Sequence, residues 1–391
     1  MYTQLKNRFA EEFGRKADYI FSAPGRTELG GNHTDHQHGM VLAAAVDRET
    51  LAAVSENGTQ TVNLLSEGYP MCRIDLNDLS IHPEEEGKTA ALIRGVASKF
   101  QPYGLKGFDA YVTSNVLSGS GLSSSAAFEV LIGVIFDRLC GAGKTPVELA
   151  QIGQYAENVY FGKPCGLMDQ TASSVGSIIA IDFADPANPL VTPIPFDFSA
   201  CGHSLCIIDT GASHADLTDE YAAITQELKA VCRFFGKEYL REIDEAEFYQ
   251  NIAQVRNAAG DRAVLRAVHV FEENKRVEKQ KEALLMQDFE AFLQLVTQSG
   301  ISSWQLLQNV IPAGRTHSQE VAYALVVAKQ LLGDRGACRV HGGGFAGTIQ
   351  AFVPTDMVES FRTAMEQAIG AGRCHIMSIR KEGGILAEEC K

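Results

Sequence analysis

The chain has 391 residues, of which 45% are hydrophobic and 21% are charged, a composition that is typical of a soluble globular protein and excludes a disordered one. This length favours two domains over one. The formal net charge of −14 argues against nucleic acid and anionic membranes as partners, because proteins that bind polyanions are usually basic.

Cysteine usage and the first residues indicate the compartment. The nine cysteines are irregularly spaced, and none of them forms a CxxC pair, which favours reduced thiols over a disulfide framework or a zinc site. The charged, amphipathic start lacks the apolar core of a signal peptide. No apolar run approaches the ~18 residues that would span a membrane. We therefore expect a cytoplasmic protein with no membrane partner, as a monomer or a weak homo-oligomer.

The predicted elements alternate irregularly along the chain. A helix opens the sequence and ends near Gly14. Strand patterns follow at residues 19–22, 40–46, 108–113, 177–183 and 204–209. Helical spacing of apolar residues is found at 128–139, 146–160, 218–235 and 262–297, and a glycine-rich strand pair is predicted near the end.

A proline-rich segment suggests where the domains meet. Residues 185–198 are rich in proline, with an aspartate near each end, and we expect them to cross between domains. The predicted division is an N-terminal domain at 1–190 and a C-terminal domain at 200–391. The order of the elements favours two α+β domains over a regular βαβ alternation.

Residues 118–127, the glycine-serine loop, lie between a predicted strand and a predicted helix. Glycines allow backbone N–H groups to converge on one point, and a helix N-terminus favours negative charge. Serine is also a favoured helix cap, but one serine is enough for a cap and this loop has three in succession. We therefore predict a polyphosphate site, in which serine hydroxyls bind phosphate or a hydrated Mg²⁺.

Residues 23–35, the polar segment, contain Arg, Glu, Asn, His and Asp side chains among glycines. Such side chains donate and accept hydrogen bonds and can bind sugar hydroxyls. A hydrogen-bonded turn would account for the Pro-Gly pair but not for the whole set. A third segment, residues 166–170, contains Asp169, which on its own is more often a helix cap or an ion-pair partner.

Together, the three segments resemble the GHMP kinase superfamily, and the galactokinases in particular. The GRxxLxGxHTD pattern at 25–35, the GLSSSAA sequence at 121–127 and the MDQ triplet at 168–170 occur in family order. Residues 342–347 are similar to the family's third glycine motif. The resemblance covers nearly the whole chain. It implies an α+β, two-domain GHMP-kinase-like fold with the active site in the interdomain cleft, and an ATP-dependent kinase for the anomeric hydroxyl of galactose.

The resemblance also implies roles for single residues. Asp169 matches the catalytic aspartate near the sugar C1 hydroxyl, and Arg26 matches the arginine that neutralises charge beside it. Ser125 and Glu157 match the Mg²⁺ ligands, so ATP and Mg²⁺ are the expected cosubstrate and cofactor. The implied sugar-binding residues are Glu28, Asn32, His33, Asp35, Gly166 and Tyr221. The implied ATP-binding residues are Gly119, Ser120, Gly121, Leu122, Ser123, Ser124, Ser125 and Ala126.

The polar segment departs from the family pattern at two positions. Galactokinases usually carry Glu at the position of Asn32 and Asn at the position of Glu28, so the two characters are exchanged. That glutamate normally contacts the outer hydroxyls of the sugar, and a neutral Asn would tolerate a C6 carboxylate that Glu would repel. Galacturonate, and L-arabinose, which lacks C6, are therefore alternative substrates.

Two other functions are less favoured. A non-enzymatic sensor of sugar and ATP would be expected to lose part of the serine-alanine sequence, which is intact here at 123–127. Another GHMP branch, such as a mevalonate or homoserine kinase, would not be expected to carry the His-Thr-Asp sequence and Tyr221.

Overall fold

The computed structural model describes residues 2–117, 121–213 and 217–390. Within them the strands are β1 (Tyr19–Gly30), β2 (Met40–Glu56), β3 (Thr61–Ser66), β4 (Cys72–Asp75), β5 (Phe108–Ser114), β6 (Ile178–Asp182), β7 (Leu190–Ile194), β8 (His203–Asp209), β9 (Ala337–Val340), β10 (Thr348–Pro354), β11 (Cys374–Met377) and β12 (Ile385–Glu389). The helices are α1 (Tyr2–Phe13), α2 (Thr89–Phe100), α3 (Ser124–Cys140), α4 (Pro146–Tyr155), α5 (Met168–Val175), α6 (Thr218–Phe234), α7 (Glu245–Gln250), α8 (Ile252–Ala259), α9 (Asp261–Leu285), α10 (Phe289–Ser302), α11 (Glu320–Leu332) and α12 (Val358–Ile369). Two π-helical segments, Ala156–Phe161 and Ser303–Leu307, extend α4 and α10.

The larger sheet is organised around the long strand β2. One part of β2 pairs with β6 and a later part pairs with β5, while β1 runs antiparallel beside both parts. The strand order is β12-β1-β2-β5-β3-β4, with β6 and β7 branching from β2. The register of β1 shifts between Pro24 and Arg26 and again between Glu28 and Gly30, so bulges interrupt the strand where its polar side chains lie.

The smaller sheet has the order β11-β8-β10-β9 and is entirely antiparallel. Helices α11 and α12 cover one face, where Ile349, Val353 and Phe361 are buried together. A bridge between Val46 and Ile379 joins the two sheets.

The hydrophobic cores hold the two halves of the chain together. Phe100, Phe108 and Phe136 belong to a core between the larger sheet and helices α2–α4. A second core contains Leu42 from β2 and Phe352 from β10, together with residues of α9 and α10. Because one core is shared by both sheets, the polar segment is fixed against the C-terminal half of the chain.

Most predicted elements are confirmed, and two strands that the sequence did not predict bear on the predicted domains. Residues 185–198, expected to cross between domains, contain β7, which pairs with β6 and extends the larger sheet. The last strand, β12, pairs with β1, so residues 385–389 belong to the sheet formed by the N-terminal half. Apart from these points, the division at 190–200 stays a prediction.

In residues 2–117, 121–213 and 217–390, no helix is both long and apolar enough to cross a bilayer.

Candidate active site

The described part of the glycine-serine loop is attached to β1 and opens into α3. The carbonyl of Leu122 accepts a hydrogen bond from the Arg26 amide at 2.9 Å, and the carbonyl of Gly121 accepts one from the Arg26 guanidinium. Leu122 and Ala126 are buried, whereas the three serines at 123–125 are partly exposed. The N-terminal N–H groups of α3 and the serine hydroxyls therefore border the same space, which suits a phosphate. The predicted ligands Gly119 and Ser120 lie outside the described residues.

Asp169 lies in the first turn of α5 and faces a buried arginine. Arg26 donates from Nε to Oδ1 at 2.7 Å and from its terminal nitrogen to Oδ2 at 2.6 Å, a two-point contact that fixes the carboxylate plane. The Arg26 side chain is 9% exposed and that of Asp169 is 30% exposed, so the carboxylate still reaches the cleft. Burial on its own would raise the pKa of Asp169, but the charge and hydrogen bonds of Arg26, with a hydrogen bond from Ser123, lower it. Asp169 is therefore an anion at neutral pH.

The two predicted metal ligands lie close together. The Ser125 hydroxyl is 3.4 Å from Glu157 Oε1, and Glu157 is buried in the π-helical segment after α4. Lys163 Nζ lies 3.3 Å from the same oxygen, which indicates that the Glu157 carboxylate attracts cations. A hydroxyl and a carboxylate are hard oxygen ligands, and Mg²⁺ commonly takes one or two protein ligands beside phosphates and water. The donor set therefore fits Mg²⁺.

A second buried carboxylate lies behind this pair and was missed from the sequence. The amide nitrogen of Gln170 donates to Glu157 Oε2 and to Glu129 Oε2, both at 2.9 Å. Burial, followed by the negative charge of Glu157, raises the pKa of Glu129 well above its ordinary value. Glu129 is the one charged residue in the apolar run 126–136. This was the signal available in the sequence, because a buried acidic residue must be paired or protonated.

The end of the polar segment forms a tight turn. His33 has a φ of 61°. Its Nδ1 lies 3.1 Å from His36 Nε2, and its Nε2 lies 3.0 Å from the carbonyl of Gly343. Burial is the main cause that lowers the pKa of His33 to about 3 and that of His36 to about 4, so both rings are neutral at physiological pH.

The structure brings Asp35 to the segment that carries Asp169. A Cβ atom on Gly166 would overlap Asp35 Oδ2, so the approach requires glycine. Asp35 and His33 are both partly exposed. Burial is the main cause that raises the pKa of Asp35. Polar groups of the polar segment and of residues 166–170 thus border one space beside the N-terminal end of α3.

Tyr221 joins this group from the C-terminal half. Its hydroxyl donates to the carbonyl of Gly344 at 2.7 Å, and a Cβ atom on Gly343 would lie 2.8 Å from its ring. The ring meets Phe345 edge to face, with centroids 5.5 Å apart. His341, just before these glycines, lies 3.0 Å from the Thr27 hydroxyl, so the segment at 342–347 faces β1.

Two of the predicted sugar-binding residues lie beneath this space. Glu28 forms an ion pair with the buried Arg339, and Asn32 has no exposed surface. Burial raises the pKa of Glu28, although the charge of Arg339 opposes the rise. Neither side chain is placed among the partly exposed groups around Asp169.

Two family models match parts of the chain. Residues 7–56 match the galactokinase galactose-binding signature, which includes the polar segment. Residues 91–177 match the N-terminal domain of the GHMP kinases, which includes the glycine-serine loop and Asp169.

Whole-chain comparisons agree with these matches. Two proteins of Actinobacillus pleuropneumoniae, from serotype 3 (strain JL03) and serotype 5b (strain L20), are described as galactokinase; each is 34% identical over 360 residues, which is 91% of this chain and 90% of the relative. The crystal structure of Lactococcus lactis galactokinase complexed with galactose superimposes with a TM-score of 0.83 at 26% identity, covering 98% of this chain and 99% of that chain. A mevalonate kinase superimposes at 0.66 with 16% identity, covering 93% of this chain and 99% of that chain, and shows the shared fold alone.

Proposed function

This chain belongs to the galactokinase family and is a sugar kinase with the GHMP-kinase fold, and we propose that it transfers the γ-phosphoryl group of ATP to the anomeric hydroxyl of galactose with Asp169 as the catalytic carboxylate. The observation that carries the proposal is the geometry of Asp169. Its carboxylate is fixed by Arg26 and partly exposed. It also accepts a hydrogen bond from Ser123 at the start of α3 and is close enough to Asp35 for the two carboxylates to interact electrostatically.

Phosphoryl transfer depends mainly on the positioning of the substrates and on the stabilisation of charge. The anomeric oxygen attacks the γ-phosphorus, the bond from phosphorus to the bridging oxygen of ADP breaks, and the hydroxyl proton passes to Asp169. Because Arg26 lowers the pKa of Asp169, the carboxylate is a weak base. It orients the hydroxyl first and accepts the proton as the new O–P bond forms.

The phosphates are held by the N-terminal N–H groups of α3 and the hydroxyls of Ser123, Ser124 and Ser125. Ser125 and Glu157 would hold Mg²⁺, which when bound supplies positive charge next to the phosphate oxygens. Lys163 adds a cation beside Glu157. In this proposal the nucleotide lies at the N-terminus of α3 and the sugar lies at Asp35 and Gly166, and the two substrates meet at the carboxylate of Asp169.

The direct test is a panel of sugars in an assay of ADP release, with ³¹P NMR to identify the product. We expect galactose to give the highest kcat/KM and a sugar 1-phosphate product, above galacturonate, L-arabinose and N-acetylgalactosamine. Absence of turnover with every sugar, from folded protein that binds ATP, would contradict the proposal.

The role of Asp169 is tested by Asp169→Asn. We expect kcat for galactose to fall by about 10²–10⁴-fold, because proton acceptance and orientation of the hydroxyl are lost together. The dissociation constant for ATP, measured by calorimetry, should change little, since the α3 N-terminus is retained. Asp334→Asn, at an exposed aspartate, is the matched control; normal turnover by Asp169→Asn would remove Asp169 from this role.

A further inference from the structure

The hydrogen-bonding capacity of Asn32 is filled by the protein itself. Its Nδ2 donates to the carbonyl of Gly342 at 2.6 Å and to Glu28 Oε1 at 3.3 Å. Its Oδ1 accepts from Asn309 Nδ2 at 2.8 Å and from the Ser303 hydroxyl at 3.3 Å. A primary amide offers two donors and two lone pairs, so all four are used. The side chain also has no exposed surface, so no donor or acceptor of Asn32 is available to a sugar.

Glu28 has an equally specific partner. Arg339, on β9, is fully buried and donates to the Glu28 carboxylate, to the carbonyl of Leu29 at 3.2 Å and to the carbonyl of Val340 at 3.0 Å. A buried cation without a carboxylate partner is strongly destabilising. Another acidic side chain near Arg339, that of Glu273, already accepts from Arg276 and Ser299.

With Glu at position 28 and Asn at position 32, this pair of positions places one carboxylate beside Arg339. Glu28 Oε1 accepts hydrogen bonds from both the Arg339 guanidinium and Asn32 Nδ2. The side chains at positions 28 and 32 therefore meet beside Arg339. A carboxylate carried on position 32, with an amide on position 28, would lie beside the same guanidinium. The pair has one negative charge to place, and either position can carry it.

This network also fixes the backbone that faces the cleft. Three successive carbonyls in the segment at 342–347 accept from side chains: Gly342 from Asn32, Gly343 from Asn309 and Gly344 from Tyr221. His33 Nε2 lies 3.0 Å from the Gly343 carbonyl as well. Moving Asn32 would move the glycines that set the positions of His33 and Tyr221.

We propose that Glu28 and Asn32 are positioning residues, which with Arg339 hold the glycines at 342–344 against the polar segment, and that neither contacts the C6 substituent of the sugar. The inference rests on the proposed function, because it concerns how a galactose kinase orders its site. It follows that the exchange at these two positions does not redirect the enzyme toward uronates or pentoses.

The first experiment separates positioning from recognition. The full-length enzyme and Asn32→Ala are compared with galactose, 6-deoxygalactose and L-arabinose, and kcat and KM are measured for each sugar. We expect kcat/KM to fall by about 10-fold and by the same factor, within about threefold, for all three. Asn7→Ala, at an exposed asparagine of α1, is the control. A loss confined to galactose, with 6-deoxygalactose and L-arabinose unaffected, would show that Asn32 contacts the C6 hydroxyl and would overturn the proposal.

The second experiment does not depend on turnover. Tm is measured for Glu28→Asn, Asn32→Glu and the double variant that carries both changes. Each single change should lower Tm, because the first leaves Arg339 unpaired and the second adds a carboxylate beside Glu28. The double variant should be more stable than either single variant and should keep the wild-type order of sugars.

A double variant no more stable than the single ones would overturn the shared role of the two positions. Since this comparison uses only folded protein, it is separable from the proposed function. Wild-type protein that fails to phosphorylate galactose would reject that function and leave the stability comparison intact.

Discussion

At the scale of single residues, one amide lies between two buried carboxylates. Gln170 donates the same nitrogen to Glu129 and to Glu157. Lys163 lies beside Glu157, whereas the second oxygen of Glu129 has no hydrogen-bond partner among the described residues. Burial, followed by the negative charge of Glu157, raises the pKa of Glu129, which favours a neutral acid there.

This arrangement predicts how stability depends on pH. Because the pKa of Glu129 is higher in the folded than in the unfolded state, its contribution to stability is fully present below the unfolded pKa and is lost as the pH rises through the folded value. The variant Glu129→Gln cannot ionise at this position, so it should not show this loss of stability as the pH rises. Thermal unfolding should give the variant a Tm above wild type by about 2 °C or more at pH 8 and a much smaller difference at pH 5. A gain that is equal at both pH values would contradict a neutral Glu129.

The sequence predicted some residues of the site and missed others for a physical reason. Arg26, Asp35 and Asp169 lie in short motifs whose polar residues are close together in the chain. Glu129 and Arg339 are defined by partners far along the chain, such as Glu28 for Arg339. Neither local spacing nor composition indicates such a pairing.

At the scale of elements, the short helix α5 places Asp169, and the start of this helix also limits the space around Asp35. Gly166 lies just before α5, and its backbone approaches the carboxylate of Asp35 so closely that a side chain would overlap it. The entry to this helix thus determines both the position of Asp169 and the room left for Asp35.

Gly166→Ala tests this arrangement. The added methyl group must displace Asp35 or the entry to α5, so we expect KM for galactose to rise by about 10-fold or more with KM for ATP nearly unchanged. Steady-state kinetics with each substrate varied in turn provide the measurement. Gly133→Ala in α3 is the control, because its Cβ would meet Leu149 at an ordinary 3.4 Å. An unchanged KM for galactose would exclude Asp35 from sugar binding or show that the turn relaxes freely.

Helices and strands were predicted correctly where the local pattern of apolar residues decides the structure. The prediction failed where pairing with a distant strand decides it. Alternation at 108–113 predicts β5 correctly, and helical spacing predicts α3. The Pro-Gly pair in the polar segment is typical of a turn, yet both residues lie within β1, whose bulges accommodate them. Likewise β7 is a strand because β6 offers it a partner, and its proline-rich sequence gives no sign of this.

At the scale of the whole molecule, the two ends of the chain meet in one sheet. β12 pairs with β1 from Tyr19↔Glu389 to Ser22↔Ile385, and Leu386 packs against the core of the N-terminal half. Nearby, Arg380 donates to Glu49 at 2.7 Å and to the Ser22 hydroxyl at 2.8 Å. The predicted domain at 1–190 therefore lacks one strand of its own sheet.

Deletion of residues 385–391 tests how much β12 contributes to the stability of the protein. Removal exposes the edge of β1 and uncovers part of its core, so we expect Tm to fall by several degrees and aggregation to increase. Differential scanning calorimetry and light scattering measure the two effects. The substitution Glu382→Gln, at an exposed residue just before β12, is the control. A truncated protein with wild-type Tm would mean that the strand contributes nothing to the sheet.

The pairing of β12 with β1 also bears on how the protein is made. Tyr19 and its partner Glu389 are 370 residues apart in the chain, so Glu389 leaves the ribosome long after Tyr19. At about 5–20 residues per second, the first strand waits roughly 20–75 s for its neighbour. Its edge is open throughout, close to the arginine that will hold Asp169. Nascent chains should therefore need protection from holdase chaperones until β12 has been made, and full activity should appear only after β12 has paired with β1.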